Sequence, residues 1–408
     1  MTSREILDGE SDRLLDRRAA ACPRALSIYS LTTAAGRARE LFEALAASRP
    51  VHWDPYVAAW LVCGPAEAQA ALSDDRFSSH RAAYTEDDAP ADGQPDLTDV
   101  AARMLLLKDG VEHLRLKKVV QSVLSSRRIK ALEPWMRELA AELLPRAAGT
   151  LDFAGAVAQR FPLLVAAKLI GIPEKDLPMV LAGSDAMTEI VSGLHPTTAQ
   201  EVRRKAHVLY EYALELVRER RERPRDDGAG AFVAAADAAG GFDDADIASN
   251  LVMLIASAHQ TMPGLLTLTL QDALSRPGTP IPSVAAALAH VTPSRFVGRI
   301  ATAQVELGGC LIEPGDAVVV VLAAANWSLS STEPLRHLAF GYGRHRCAGA
   351  AMAELEATVM FDRLAEVHPV AVTAEPAPLN DNVNLPALTS LPIRLPAAEP
   401  EDEHRAHP

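Results

Sequence analysis

Residues 244–274 read DADIASNLVMLIASAHQTMPGLLTLTLQDAL, a long apolar stretch of helical character. A helix this apolar cannot sit at a surface, so the rest of the chain must wrap it. Helical patterns at 31–45, 112–124, 127–147, 152–169 and 197–219 each supply a buried face. Strand patterns are fewer: 60–63, 306–312, 316–322 around the turn Glu313-Pro314-Gly315, and 391–395. No repeat and no low-complexity linker divides the chain. The expected fold class is mainly α with a minor β component, one large domain over 1–408 with disordered extreme termini.

Charge and cysteine content narrow the function. A formal net charge of -13 opposes a sequence-independent nucleic-acid binder, which needs a strong basic face. The four cysteines, Cys22, Cys63, Cys310 and Cys347, form no CxxC pair and no disulfide or zinc framework. The charged opening MTSREILDGESDRLLDRRAA has no signal-peptide core. Apolar runs such as the one from Ala317 fall short of the roughly 20 residues that span a bilayer. A cytoplasmic monomer without membrane contact is expected. Two stretches read as surface: the Asp- and Pro-rich 82–100, as a binding loop or a disordered one, and 220–243, as a solvated turn region.

The chemistry concentrates in FGYGRHRCAGA at 340–350, which leads into the helical pattern AMAELEATVMFDRLAEV. A cysteine at a Gly-permitted turn just before a helix has its thiolate favoured by peptide N–H groups and the positive helix end. From these residues alone Cys347 is a nucleophile, a metal ligand or a small buried side chain. A cysteine protease would need a His base, and His345 has no evident orienting partner. Cys22, Cys63 and Cys310 read as ordinary structural cysteines.

This loop resembles the cysteine-loop signature of the cytochrome P-450 haem-thiolate family, with Phe340, Gly343, His345, Cys347 and Gly349 at its spacing. The resemblance implies the P-450 fold and haem b, with Cys347 as proximal iron ligand and Phe340 packed near the sulfur. DGVEHLRLK at 109–117 is similar to the family's haem-edge helix, and PSRFVGR at 293–299 to its approach to the sheet. By that similarity His113, Lys117, Arg299 and His345 hold the haem propionates. Lys117 stands where the family more often has Arg, which keeps the charge and loses the planar fork.

ASAHQTMPG at 256–264 resembles the oxygen-binding segment. It implies that Ala258 leaves room at the distal face and that Thr261 hydrogen-bonds oxygen or water. Back-bonding of Thr261 to a helix carbonyl is the structural alternative. Gln260 replaces the usual acid and cannot relay a proton by titration. Pro263 is expected to distort the helix locally. The family's Glu/Arg pair falls at Ala286 and Ala289. The short segments 275–283 and 327–339 suggest that the pair and its surrounding loops were simplified together.

The implied activity is oxidation of a small or medium organic substrate with dioxygen and two external electrons, in specialised metabolism. Ile255, His259, Phe296 and Val297 are the expected substrate contacts, with the turn at 385–388 a weaker candidate and His259 equally a support residue. A ferredoxin or flavin-type redox partner would dock on Arg336, His337, Arg344 and Arg346, with Arg115 and Lys118 nearby. A peroxide-driven or redox-neutral haem-thiolate enzyme, and a haem sensor or ligand carrier, are the alternatives.

Overall fold

The structure, a computed structural model, describes residues 27–32, 38–80, 96–192, 200–276, 278–330, 336–372 and 378–396. Cys22, residues 82–95 of the expected binding loop, residues 331–335 of the second short segment, and both extreme termini lie outside the described residues.

The first part alternates helix and strand. Helix α1 (Ala38–Ala46) precedes the hairpin β1 (Val51–Asp54) and β2 (Ala59–Val62), then α2 (Pro65–Ser73) and β3 (Phe77–Ser78). A helical body follows: α3 (Leu97–Ala102), α4 (Gly110–Val123), α5 (Ser126–Leu143), then strand β4 (Gly149–Asp152) and α6 (Arg160–Ile170). Next come α7 (Leu177–Ser192), α8 (Gln200–Glu222), α9 (Gly228–Ala239), α10 (Asp244–Gln260), α11 (Met262–Leu274) and α12 (Val284–Val291). Strands β5 (Val297–Ala301), β6 (Val305–Leu307), β7 (Cys310–Ile312) and β8 (Ala317–Val320) lead to α13 (Leu322–Ser330) and α14 (Ala350–Val367). Strands β9 (Val370–Ala371) and β10 (Pro392–Leu395) close the order.

The main sheet runs β1-β2-β8-β5-β3, parallel between β2 and β8 and antiparallel elsewhere. A second sheet runs β4-β10-β9, and β6 and β7 form a hairpin. The strand pattern at 306–312 is therefore not one strand. Gly308 and Gly309 take φ of 56° and 75°, which turns the chain back on itself.

The apolar stretch is the centre of the fold, with α6, α7, α8 and α9 packed against α10. Asp243 and Asp246 close a capping box at its start, each side chain bonding the other's backbone N–H. Taken as one run, Asp244–Leu274 is long and apolar enough to cross a membrane by length and composition, yet 61% of its apolar window is buried. The helix breaks at Thr261, because Pro263 has no N–H to continue the ladder.

The solvated turn expected at 220–243 is corrected. Helix α8 continues to Glu222 and α9 occupies Gly228–Ala239. In the last turn of α8, Arg220 is 2% exposed. Its guanidinium meets Asp227 at 2.8 Å and donates to the Gly171 carbonyl at 3.2 Å. Asp227 in turn caps α9 by accepting from Gly230 N. The charged sequence there is partly a buried knot rather than a solvated face. Helices α7 and α13 were also not marked by the sequence patterns.

Candidate functional site

A short turn and two helices build the site. After Phe340 the chain enters a 3-10 turn, Gly343–His345, and Cys347 N donates to the Phe340 carbonyl at 2.8 Å. Gly343 has φ of 68°, and a Cβ there would lie 2.5 Å from the Leu72 carbonyl of α2. Only glycine lets the loop sit this close to α2. Cys347 keeps an exposed surface and lines the adjoining cavity, and α14 begins three residues later. The protein packed around this open face still withholds solvent from the sulfur, which pushes the thiol's pKa up. The Gly349 N–H and the positive charges of Arg346 and Lys117 act against that and favour the thiolate.

Basic side chains converge on one wall. His113 of α4 is 1% exposed, and its ring lies 4.1 Å from that of His345. His345 Nε2 meets Asp109 Oδ1 at 3.1 Å. Burial, with the nearby His113 and Arg299, lowers the His345 pKa to about 4. Burial raises the pKa of Asp109, but hydrogen bonds from Ser78 and His345 more than offset it. Lys117 Nζ donates to the Arg344 carbonyl, so α4 is tied directly to the cysteine loop. Arg299 is 8% exposed and donates to the Gly298 carbonyl at 2.8 Å. Burial, together with the charges of Lys117 and Arg299, lowers the pKa of His113.

The end of α10 forms the facing side. Ala258, Gln260 and Thr261 line the same cavity, of about 750 Å³, as Cys347, Phe340, His113, Lys117, Arg299 and His345. No hydrogen bond of the Thr261 side chain occurs among the described residues, so back-bonding to a helix carbonyl is not what holds it. Gln260 Nε2 donates to Asp185 Oδ1 on α7 at 2.6 Å. Phe296, Val297 and Leu385 also line the cavity.

Ile255 and His259 do not line it, which corrects that expectation. Positions 255 and 259 share the helix face turned to α7. There His259 Nδ1 donates to the Ile255 carbonyl at 2.8 Å and Nε2 lies 3.4 Å from Ser184 Oγ. His259 therefore supports the wall from behind.

The sequence patterns missed several wall residues. Met187 and Thr188 come from α7, and Leu105 and Leu106 from the 3-10 turn Leu105–Leu107. Asn250 of α10 fixes that turn by accepting from Leu105 N at 2.8 Å and donating to the Arg103 carbonyl at 3.0 Å. Glu356 of α14 was also missed. It lines the cavity, is 2% exposed, and its Oε2 has no hydrogen-bond partner among the described residues. Its position in the helical pattern was legible, but nothing local marked it as buried.

No protein-family model matches the chain. Individual relatives do. It is 30% identical over 368 residues to the 6-deoxyerythronolide B hydroxylase of Saccharopolyspora erythraea, covering 83% of this chain and 90% of that protein. The chain belongs to the cytochrome P450 haem-thiolate family. The nocardicin C N-oxygenase of Nocardia uniformis subsp. tsuyamanensis is 30% identical over 82% of this chain and 89% of its own length. Among solved structures, P450BioI in complex with an acyl carrier protein superposes with a TM-score of 0.77 at 20% identity, over 90% of this chain and 100% of that one. That likeness shows the mainly helical P450 fold. This P450 is an oxidoreductase of the monooxygenase type, and one relative, from Bacillus subtilis, is by name a polyketide biosynthesis cytochrome P450.

The family's cofactor is haem b, and the residues present fit it. The cavity offers a thiol to a soft metal ion at one point. It also gathers four basic groups on one wall, where two acidic propionates need partners. His113 Nδ1 is buried with no hydrogen-bond partner among the described residues, a donor or acceptor that a bound group would satisfy.

Proposed function

We propose that this P450 oxidises a small or medium organic molecule with dioxygen and two externally supplied electrons. The observation that carries the reading is one apolar cavity lined both by the Cys347 thiol and by Gln260 and Thr261 at the break of α10. In this reading Cys347 holds the iron and Phe340 packs beside it. His113, Lys117, Arg299 and His345 hold the propionates. Bound there, haem supplies a thiolate-ligated iron whose electron donation favours O–O bond cleavage.

The chain's own groups do the rest. Ala258 leaves space beside the cavity's centre. The Thr261 hydroxyl, without a hydrogen-bond partner among the described residues, holds water or oxygen by hydrogen bonding. Gln260 orients a neighbour without titrating. The apolar walls at Phe296, Val297, Met187 and Leu385 exclude bulk water and select an apolar substrate body. The relatives, by name a hydroxylase and an N-oxygenase, put hydroxylation and heteroatom oxidation both within reach of this site.

Electrons enter from a ferredoxin or flavin-type redox protein on the cysteine-loop side. Arg336 and Arg346 are exposed there, and Arg346 lies 5.8 Å from the Phe340 ring centroid. Arg344 is paired with Asp75, and Arg115 donates to the Gly240 carbonyl at 2.8 Å, so these two contribute less. The absence of a titrating acid at Gln260 favours peroxide-driven turnover as a second reading. Parallel assays with dioxygen plus reductant and with peroxide alone separate the two.

The reduced carbon monoxide difference spectrum tests the proximal assignment. Wild type is expected to show the red-shifted thiolate band, and Cys347→Ser to lose it while retaining some haem. A wild type that holds haem without that band overturns the reading.

A further inference from the structure

Gln260 has its two amide ends in unequal surroundings. Its Nε2 lies 2.6 Å from Asp185 Oδ1 and 3.3 Å from His259 Nε2. Asp185 is a carboxylate, which accepts hydrogen bonds, and its side chain is 61% exposed. The Ile255 carbonyl also accepts only, so His259 Nδ1 must carry the hydrogen it donates at 2.8 Å. In the tautomer with hydrogen on Nδ1, Nε2 is the ring's acceptor, and the Ser184 hydroxyl also lies 3.4 Å from it. Both neighbours therefore present acceptors to Gln260, and only its NH₂ end supplies donors. The amide cannot be reversed without placing its oxygen 2.6 Å from a carboxylate oxygen.

The consequence falls on the other end. Gln260 lines the cavity, and its Oε1 is the polar atom of that side chain with no partner among the described residues. We propose that Gln260 Oε1 is a fixed hydrogen-bond acceptor in the cavity, selecting organic substrates that carry a hydroxyl or N–H donor. The proposal rests on the cavity being the substrate chamber. It makes Asp185 and His259 positioning residues: each acts on the substrate only by holding Gln260. An anionic substrate group is disfavoured here, because the amide has no donor left and the Asp185 carboxylate stands behind it. A hydroxyl placed against Oε1 also lies one residue from Thr261, so the same contact orients the substrate at the break of α10.

Rigid probes that differ by one donor test this: 1-adamantanol and 1-methoxyadamantane. Their dissociation constants for the holoenzyme are measured by isothermal titration calorimetry, with the haem Soret shift read in parallel. A neutral hydrogen bond gives wild type a preference for the alcohol of about five- to tenfold, relative to Gln260→Leu. Asp185→Leu, a change outside the cavity, frees the amide to turn and reduces the same preference while ether binding stays. Equal binding of alcohol and ether by wild type, failure to bind either, or a preference that survives Gln260→Leu overturns the proposal. Calorimetry reads the ratio whatever the iron ligand is, and the carbon monoxide spectrum reads the ligand alone. Failure of the haem-thiolate assignment is thus distinguishable from failure of the acceptor assignment.

Discussion

Asn326 Nδ2 donates to Thr292 Oγ1 at 2.8 Å, and the same amide accepts from Leu338 N at 2.6 Å. Thr292 ends α12 in a left-handed conformation, Asn326 lies in α13, and Leu338 stands two residues before Phe340. One wholly buried amide thus joins two helices to the start of the cysteine loop. By the resemblance, the family's Glu/Arg pair would fall on α12 at Ala286 and Ala289, which carry no charge. A neutral amide bridge carries no ionic desolvation cost, and the loss of both ionic partners leaves no unpaired charge.

Asn326→Ala removes both bonds and strands the Leu338 N–H, while the Thr292 hydroxyl keeps its contacts to the Leu288 and Ala289 carbonyls. The expected loss is about 2 kcal/mol of unfolding free energy, from the penalty for one unmet buried N–H. Urea denaturation followed by haem absorbance measures it, and a loss below about 1 kcal/mol would mean that the bridge is not what holds the loop.

Glu356 gives a pH-dependent prediction. Burial pushes its carboxyl well above the ordinary value of 4.5, so the folded protein keeps a proton that the unfolded chain releases. Folding then takes up a proton, and this group's contribution to stability is full below pH 4.5 and falls as pH rises toward its folded value. Gln does not titrate. The difference in Tm between Glu356→Gln and wild type is expected to grow in the variant's favour from about pH 5 to about pH 8. Two melting curves that stay parallel across that range would show the carboxyl to be ionised in the fold.

The basic wall predicts cofactor retention. His113→Ala and Lys117→Ala each remove a partner for a carboxylate, at roughly 1.5–3 kcal/mol for a charged hydrogen bond. Each is expected to lose haem to excess apomyoglobin about ten times faster than wild type or more. Lys117→Arg keeps the charge, adds a planar fork, and is expected to retain haem at least as well. Transfer rates that do not change in either alanine variant would remove these residues from the propionate assignment.

Much of the site was legible because its signals are local. The cysteine loop is marked by glycines at positive φ and a following helix, and the central helix by its uninterrupted apolar pattern. Helix α9 escaped notice because GAGAFVAAADAA offers mostly small residues, with Phe232 and Val233 its large buried apolar side chains. Helix α7 is apolar through its first half, holds its polar residues from Ser184 onward, and carries both Pro178 and Gly183, which blur its period. The break at Thr261 was half legible: Pro263 foretold a distortion but not two separate helices.

The sequence by itself determined the family, the thiol, the apolar core helix, and the missing charges at Gln260, Ala286 and Ala289. Each of these is written in residue type and near-neighbour spacing. Tertiary structure decided the long-range contacts near these positions: Asp185 meets Gln260 from 75 positions away, and Asn326 meets Thr292 across 34. It also turned Ile255 and His259 away from the cavity. Contacts of that kind follow from how helices cross, because packing a shared core fixes side-chain neighbours that spacing along one chain does not encode.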